Sequence, residues 1–199
     1  MEIKYSKNKI EFEKVLNQLD ELVIDFTSIL NVLGIKYVII SGYVAILFGR
    51  SRASEDIDIF IEKISSSLFE QLWKELYKKF ECVITEDIKD AYEEYLLNGH
   101  AIRFARRGEY VPNVEIKFPK AEIDFWSLKE SRQVILNQHP MFISPLELQI
   151  PYKIFLGSDK DIEDARYLYN LFKNKLDIIL IGRFNRKLKI DKVFYKYLK

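Results

Sequence analysis

The sequence predicts an α/β fold, a mixed β-sheet flanked by helices with a helical part at the C-terminal end. Two observations carry that expectation. Short runs such as Tyr37-Val38-Ile39-Ile40, Asp56–Ile61, Ala101–Arg106 and Val114–Phe118 are wholly apolar or alternate with the period of a strand. Longer segments between and after them repeat apolar residues at helical spacing, and from Pro145 onward only that spacing appears. The 199 residues are 48% hydrophobic, enough for a core of one domain with a helical appendage, which we divide at 1–144 and 145–199.

Taken in order, Phe12, Val15, Leu16, Leu19, Leu22, Val23, Phe26, Ile29, Leu30 and Leu33 trace one face of a helix over Ile10–Leu33, closed by Gly34. The apolar run from Tyr37 then enters a Ser41-Gly42 turn and an apolar helical segment from Tyr43 to Phe48. Ser65-Ser66-Ser67 offers an N-cap for a helix over Ser67–Phe80. Cys82–Thr85 reads as a short strand, with Cys82 as a small core residue, and Asp87–Leu97 reads as a polar helix. Val114–Phe118 and Glu122–Trp126 both read as strands with acids on the polar face, and Gln138-His139-Pro140 reads as a turn between two further strands. Ser144-Pro145-Leu146-Glu147 has the pattern of a helix start with Ser144 as N-cap; Pro151 should kink this helix, and a second helix begins at Asp159.

The chemistry concentrates between Ile40 and Ile61. In a strand, Asp56 and Asp58 share one face while Ile57, Ile59 and Ile61 face a core. Carboxylates held that close repel one another, an arrangement readily tolerated with a divalent cation between them. The Ser41-Gly42 turn lets backbone amides approach a phosphate, and Arg50 and Arg52 arrive just before the acidic strand, placed to pair with phosphate oxygens. A glycine turn, arginines and paired acids in that order suit phosphoryl or nucleotidyl transfer.

This stretch resembles the DNA polymerase β-like nucleotidyltransferase superfamily. Arg52-x-Ser54-x-Asp56-x-Asp58 is similar to the Arg-x-Thr/Ser-x-Asp-x-Asp form of its AbiEii/AbiGii toxin-type branch, although the turn here is Ser-Gly where the family has Gly-Ser or Gly-Gly. A lysine followed by Lys/Arg-Asp-x-x-Asp resembles that branch's later motifs, with Lys153 as the motif lysine, Asp161 as the motif aspartate and Asp164 as the second acid. The resemblance implies a Mg²⁺ (or Mn²⁺) ion on Asp56, Asp58 and a third carboxylate from a later strand, for which Glu115 and Asp124 are both candidates. It further implies Ser41, Gly42, Arg50, Arg52, Lys153 and Asp164 around a nucleoside triphosphate, with Asp56, Asp58, Lys153 and Asp161 as catalytic residues. The implied reaction moves a nucleoside monophosphate to an acceptor hydroxyl on a transfer RNA 3′ end, another RNA, a protein or a small molecule, and a toxin of this kind would have a cognate antitoxin. The alternative is a catalytically silent nucleotide- or protein-binding module of the same fold.

The balance of 31 basic and 30 acidic residues gives a net charge of +1, so attraction to nucleic acid must be local. One place for it is the segment from Gly182 to Lys199, where Arg183, Arg186, Lys187, Lys189, Lys192, Lys196 and Lys199 interleave with Phe184, Phe194, Tyr195 and Tyr197; it reads either as an RNA-binding patch or as a solvated basic helix face. The single cysteine excludes an intrachain disulfide and a Cys-rich zinc site. With no leader-like N-terminus and no apolar run approaching a membrane span, we expect a cytoplasmic protein. His100 and His139 sit at turns and receive no role.

Overall fold

A computed structural model describes residues 2–6 and 9–198. The order of elements is β1 (Lys4–Tyr5), β2 (Lys9–Phe12), α1 (Gln18–Val32), β3 (Tyr37–Ile39), α2 (Gly42–Leu47), β4 (Asp56–Ile61), α3 (Ser66–Leu76) and β5 (Phe80–Cys82). It continues with α4 (Ile88–Asp90), which runs into a π-helical turn over Ala91–Leu96, then β6 (Ile102–Arg106), β7 (Asn113–Lys117), α5 (Glu122–Lys129), β8 (Arg132–Leu136) and β9 (His139–Ile143). The helices α6 (Leu146–Leu156), α7 (Asp159–Phe172), α8 (Ile178–Leu188) and α9 (Asp191–Leu198) follow.

Among the described residues the strands form one nine-stranded mixed sheet in the order β1-β2-β8-β9-β3-β4-β7-β6-β5. The expected α/β architecture, a mixed sheet flanked by helices with a helical C-terminal stretch, is therefore present. β4 sits centrally, antiparallel to β3 and parallel to β7. Its Ile57, Ile59 and Ile61, and Val114 and Ile116 of β7, have no solvent contact. Burying side chains of this size is worth about 1.5–3 kcal/mol each, so the apolar face pins the register and leaves Asp56 and Asp58 on the other. Cys82 is buried in the same core.

Several boundaries differ from the sequence expectation, among them the expected Gln138-His139-Pro140 turn, where His139 and Pro140 already pair with β8 as the start of β9. The helix expected over Ile10–Leu33 begins only at Gln18, because Ile10 and Phe12 pair in parallel with Val134 and Leu136 of β8 and are buried there as strand residues. Asn17 caps α1 through a reciprocal pair of bonds with Asp20, and Gly34 closes it at φ 67° with Ile35 N–H donating to Leu30 O. Phe80 leaves the expected Ser67–Phe80 helix for β5, since α3 ends at Leu76, and the strand expected over Cys82–Thr85 lies at Phe80–Cys82.

The Glu122–Trp126 run is a helix, not a strand. Asp124 in its first turn accepts from the Lys120 and Ala121 amides, so the carboxylate that looked like part of a strand pattern closes a helix N-terminus. At α6 the cap is Pro145 with no side-chain cap bond, one residue beyond the expected Ser144, and Pro151 lies within the helix. The expected Asp159 start is met, with Ser158 Oγ accepting from Asp161 N.

Candidate active site

The β4–β7 register decides what shares a face with the paired acids. Asp58 lies opposite Glu115, Asp56 opposite Asn113, and Glu115 opposite Arg103 of β6. Glu115 is therefore the acid whose strand neighbours the Asp-x-Asp strand. Lys117, two residues further along β7 and on the same face, donates to Asp58 Oδ1 at 3.3 Å and Glu115 Oε1 at 3.1 Å. Arg103 holds the other Glu115 oxygen at 3.0 Å. Asp56 is exposed at the strand start.

These contacts set the protonation of the cluster. Burial pushes the Asp58 carboxyl up; Lys117 opposes this and Glu115 and Asp56 add to it, leaving Asp58 above its ordinary value. Burial pushes Glu115 up too, but Lys117 and Arg103 outweigh it and hold Glu115 below its ordinary value. Lys117, despite its own burial, is held above its ordinary value by Asp58 and Glu115.

A second charged cluster forms where the β3–β4 connection meets the C-terminal helices. Asp164 has no solvent contact, and its carboxylate is shared by Arg50, by Arg52 Nη1 at 2.6 Å and by Lys153 Nζ at 2.6 Å. Lys153, itself buried in α6, also donates to Asp161 Oδ1 at 2.9 Å. Asp161 is the more open of the two acids; burial raises its pKa, but bonds from Ser158 and Lys153 leave it below its ordinary value. Asp164 thus ties arginines near the acidic strand to helices more than a hundred residues later.

The Ser41-Gly42 turn lies against this cluster. Ser41 is held at φ 65°, a sparsely populated conformation for a residue with a side chain, and its carbonyl accepts from Gln149 Nε2 of α6 at 2.7 Å. A Cβ on Gly42 would stand 3.0 Å from the Arg52 guanidinium, which explains the glycine by close approach of a side chain. With α2 only Gly42–Leu47, any anion held here would rely on Arg52 and Lys153 more than on a helix end.

Between the two clusters opens a cleft of about 170 Å³ that Ser41, Asp58, Lys117, Asp124, Ser144, Gln149 and Lys153 line, with Phe60, Ile123, Leu148, Tyr152 and Leu156 as its apolar walls. It brings together Ser41, Asp58, Lys153 and Asp124 from four elements, while Arg50 and Asp164 sit behind it. Gln149 and Lys117 went unremarked as site residues in the sequence, since a glutamine in a helix and a lysine in an alternating strand carry no motif. Ser127 of α5 also lines the cleft, and its buried Oγ has no hydrogen-bond partner.

Whether a metal fits is decided by these donors. Asp56, Asp58 and Glu115 are hard oxygen donors on one face of two paired strands, the chemistry Mg²⁺ or Mn²⁺ takes, and a divalent cation would relieve the repulsion that raises Asp58. Among the described residues no three Asp, Glu, His or Cys side chains converge as a formed metal site, and the Lys117 ammonium stands between two of the carboxylates. The donor types suit such an ion, and the Lys117 ammonium holds the place between Asp58 and Glu115. Asp124, by contrast, spends one carboxylate oxygen on its own helix cap.

The fold is matched in solved structures. It is nucleotidyltransferase-like. An antigenic nucleotidyltransferase-like protein from Paracoccidioides brasiliensis superposes with a TM-score of 0.55 at 20% identity, over 91% of this chain and 92% of that one. The antibiotic-resistance factor ANT(2″)-Ia in solution gives 0.55 at 12% identity, over 88% and 96%. The crystal structure of ANT(2″)-Ia in complex with adenylyl-2″-tobramycin gives 0.52 at 14%, over 86% and 99%. No family model matches the sequence, and no curated protein is found related to it, so the likeness lies in the fold.

The basic C-terminal segment divides differently from its sequence pattern. Arg183, Arg186, Lys187, Lys189, Lys192 and Lys196 are exposed, but Phe184 and Phe194 are buried and cannot stack on bases; Lys199 lies outside the described residues. Among the described residues no helix is long and apolar enough to cross a membrane. His100 and His139 are both exposed.

Proposed function

We propose that this chain is a nucleotidyltransferase that moves a nucleoside monophosphate from a nucleoside triphosphate to an acceptor hydroxyl. The observation that carries the reading is the pairing of Asp58 with Glu115 across β4 and β7, where Asp58 lines a cleft together with Ser41 and Lys153, within a fold shared with nucleotidyltransferase-like proteins.

In this reading Asp56, Asp58 and Glu115 would hold Mg²⁺ or Mn²⁺, with Glu115 rather than Asp124 as the third ligand, because Glu115 is in register with Asp58 while Asp124 caps α5. The metal, when bound, supplies charge neutralisation at the phosphate and lowers the pKa of the attacking hydroxyl. The chain's own residues position the reactants. Lys153 and Arg52 face the triphosphate beside Ser41-Gly42, Asp161 steadies Lys153, and Asp164 holds Arg50, Arg52 and Lys153 in place from behind. The apolar walls from Phe60, Leu148 and Tyr152 exclude water and accept a planar base. Residues 145–199 act as a helical unit that closes the cleft over the sheet domain.

The acceptor class follows from surroundings outside the cleft. The solved complex of ANT(2″)-Ia with an adenylylated tobramycin supports a small polyol. The exposed basic side chains of α8 and α9 support an RNA hydroxyl, as expected for the toxin-type branch with its antitoxin. Incubation with each labelled nucleoside triphosphate, Mg²⁺ and either total RNA, a protein lysate or an aminoglycoside panel tests both: label transferred to one class identifies it. Magnesium-dependent triphosphate binding without transfer to any class would instead establish a silent binding module.

A further inference from the structure

The Lys117 ammonium lies between the two carboxylates that the transfer reading assigns to a metal. We infer that Lys117 is a resident counterion, and that a divalent cation enters this site only by displacing it. The inference rests on the nucleotidyl-transfer reading of the cleft. The Lys117 Nζ stands 3.3 Å from Asp58 Oδ1 and 3.1 Å from Glu115 Oε1, while a Mg²⁺ ion would need both oxygens at about 2.0–2.1 Å. Ammonium and metal claim the same oxygens and repel one another, so they exclude each other.

The rest of the cluster is built for that exchange. Arg103 keeps hold of the outer Glu115 oxygen at 3.0 Å, so Glu115 stays oriented when Lys117 leaves. The Lys117 ammonium lies over the Phe60 ring, 5.6 Å from its centroid, on a flexible four-carbon arm. Lys117 lines the same cleft as Lys153 and Ser41, so the displaced ammonium swings toward the space where triphosphate oxygens would lie. A metal arriving alone must break two ion pairs with nothing to receive the lysine. A metal arriving with a triphosphate gives the ammonium a new anion. The arrangement therefore couples metal binding to nucleotide binding and keeps the acids neutralised between turnovers.

The test measures free Mn²⁺ by electron paramagnetic resonance with the full chain, its Lys117→Met variant and its Lys117→Gln variant, each with and without a non-hydrolysable nucleoside triphosphate. Gln is one bond shorter but keeps an N–H donor for the carboxylates, so it serves if Met does not fold. Loss of the charge should tighten binding of Mn²⁺ alone by roughly tenfold or more, within the usual range of coupling between two sites. In the parent chain the nucleotide should tighten Mn²⁺ more than it does in either variant. Melting in EDTA should fall in the variants and be restored by Mn²⁺. Equal or weaker Mn²⁺ binding in the variants overturns the displacement while leaving the transfer reading intact. No Mn²⁺ bound by any of the chains, with or without nucleotide, overturns both.

Discussion

Replacing Asp164 with Asn is the sharpest probe of how the two halves of the chain are joined. The carboxylate has no solvent contact and neutralises Arg50, Arg52 and Lys153, so Asn keeps the volume but leaves those cations facing one another with Asp161 and Glu163 as the remaining anions nearby. Removing one partner from a buried ion cluster typically costs about 3–5 kcal/mol. For a chain of this size each kcal/mol lowers the melting temperature by about 2–4 °C, so the transition should fall by roughly 6–20 °C. Urea denaturation at matched ionic strength should show a lower midpoint with an unchanged slope, since the exposed area on unfolding is the same. Added salt should not restore it, because buried pairs are poorly screened, whereas inorganic tripolyphosphate should, by supplying the missing negative charge to Arg52 and Lys153. An unfolding free energy within about 1 kcal/mol of the parent's would refute the buried clamp. Lost tripolyphosphate binding with unchanged stability would make Asp164 an organiser of Arg52 and Lys153 that contributes nothing to the fold.

Three further outcomes follow from the same geometry. Lys153→Met should both destabilise the fold and weaken triphosphate binding, since Lys153 is buried between Asp161 and Asp164, whereas Lys160→Ala on the exposed first turn of α7 should do neither; equal effects in calorimetric titrations would remove Lys153 from the site. Glu115 is held below its ordinary value of 4.5, so its contribution to stability is fully present above that pH and is lost as acidification passes through the depressed value. Melting curves of Glu115→Gln should accordingly lose part of the parent's dependence on pH below 4.5, and a parallel dependence would mean that the Lys117 and Arg103 contacts do not form in solution. Ser127→Ala removes a buried hydroxyl that lacks a partner, so the melting temperature should hold or rise while discrimination among the four nucleoside triphosphates weakens; a clear drop in stability would show that the hydroxyl is bonded within the protein.

Much of this was legible in the sequence because it depends on neighbours along the chain. The alternation of Asp56-Ile57-Asp58-Ile59 states which side chains share a face, and Gly34 and Ser65 mark helix ends by conformations or bonds that span only a few residues. Where two periods fit one stretch, local information ran out. Ile10 and Phe12 suit either a helix face or a strand, and only the parallel partner β8 selects the strand. Glu122–Trp126 alternates like a strand, yet Asp124 can satisfy two amides ahead of it and does so as a helix cap.

The candidate site divides along the same line. The residue types and their order at Ser41-Gly42, Arg50, Arg52, Asp56 and Asp58 were determined by the sequence alone, as was the lysine-to-aspartate spacing of Lys153 and Asp161. Only the tertiary structure decided that Glu115 stands beside Asp58, that Lys117 sits between them, and that Asp164 gathers Arg50, Arg52 and Lys153. Strand register and the burial of a charge are set by packing between segments far apart in the chain, and the energy that fixes them has no local signature.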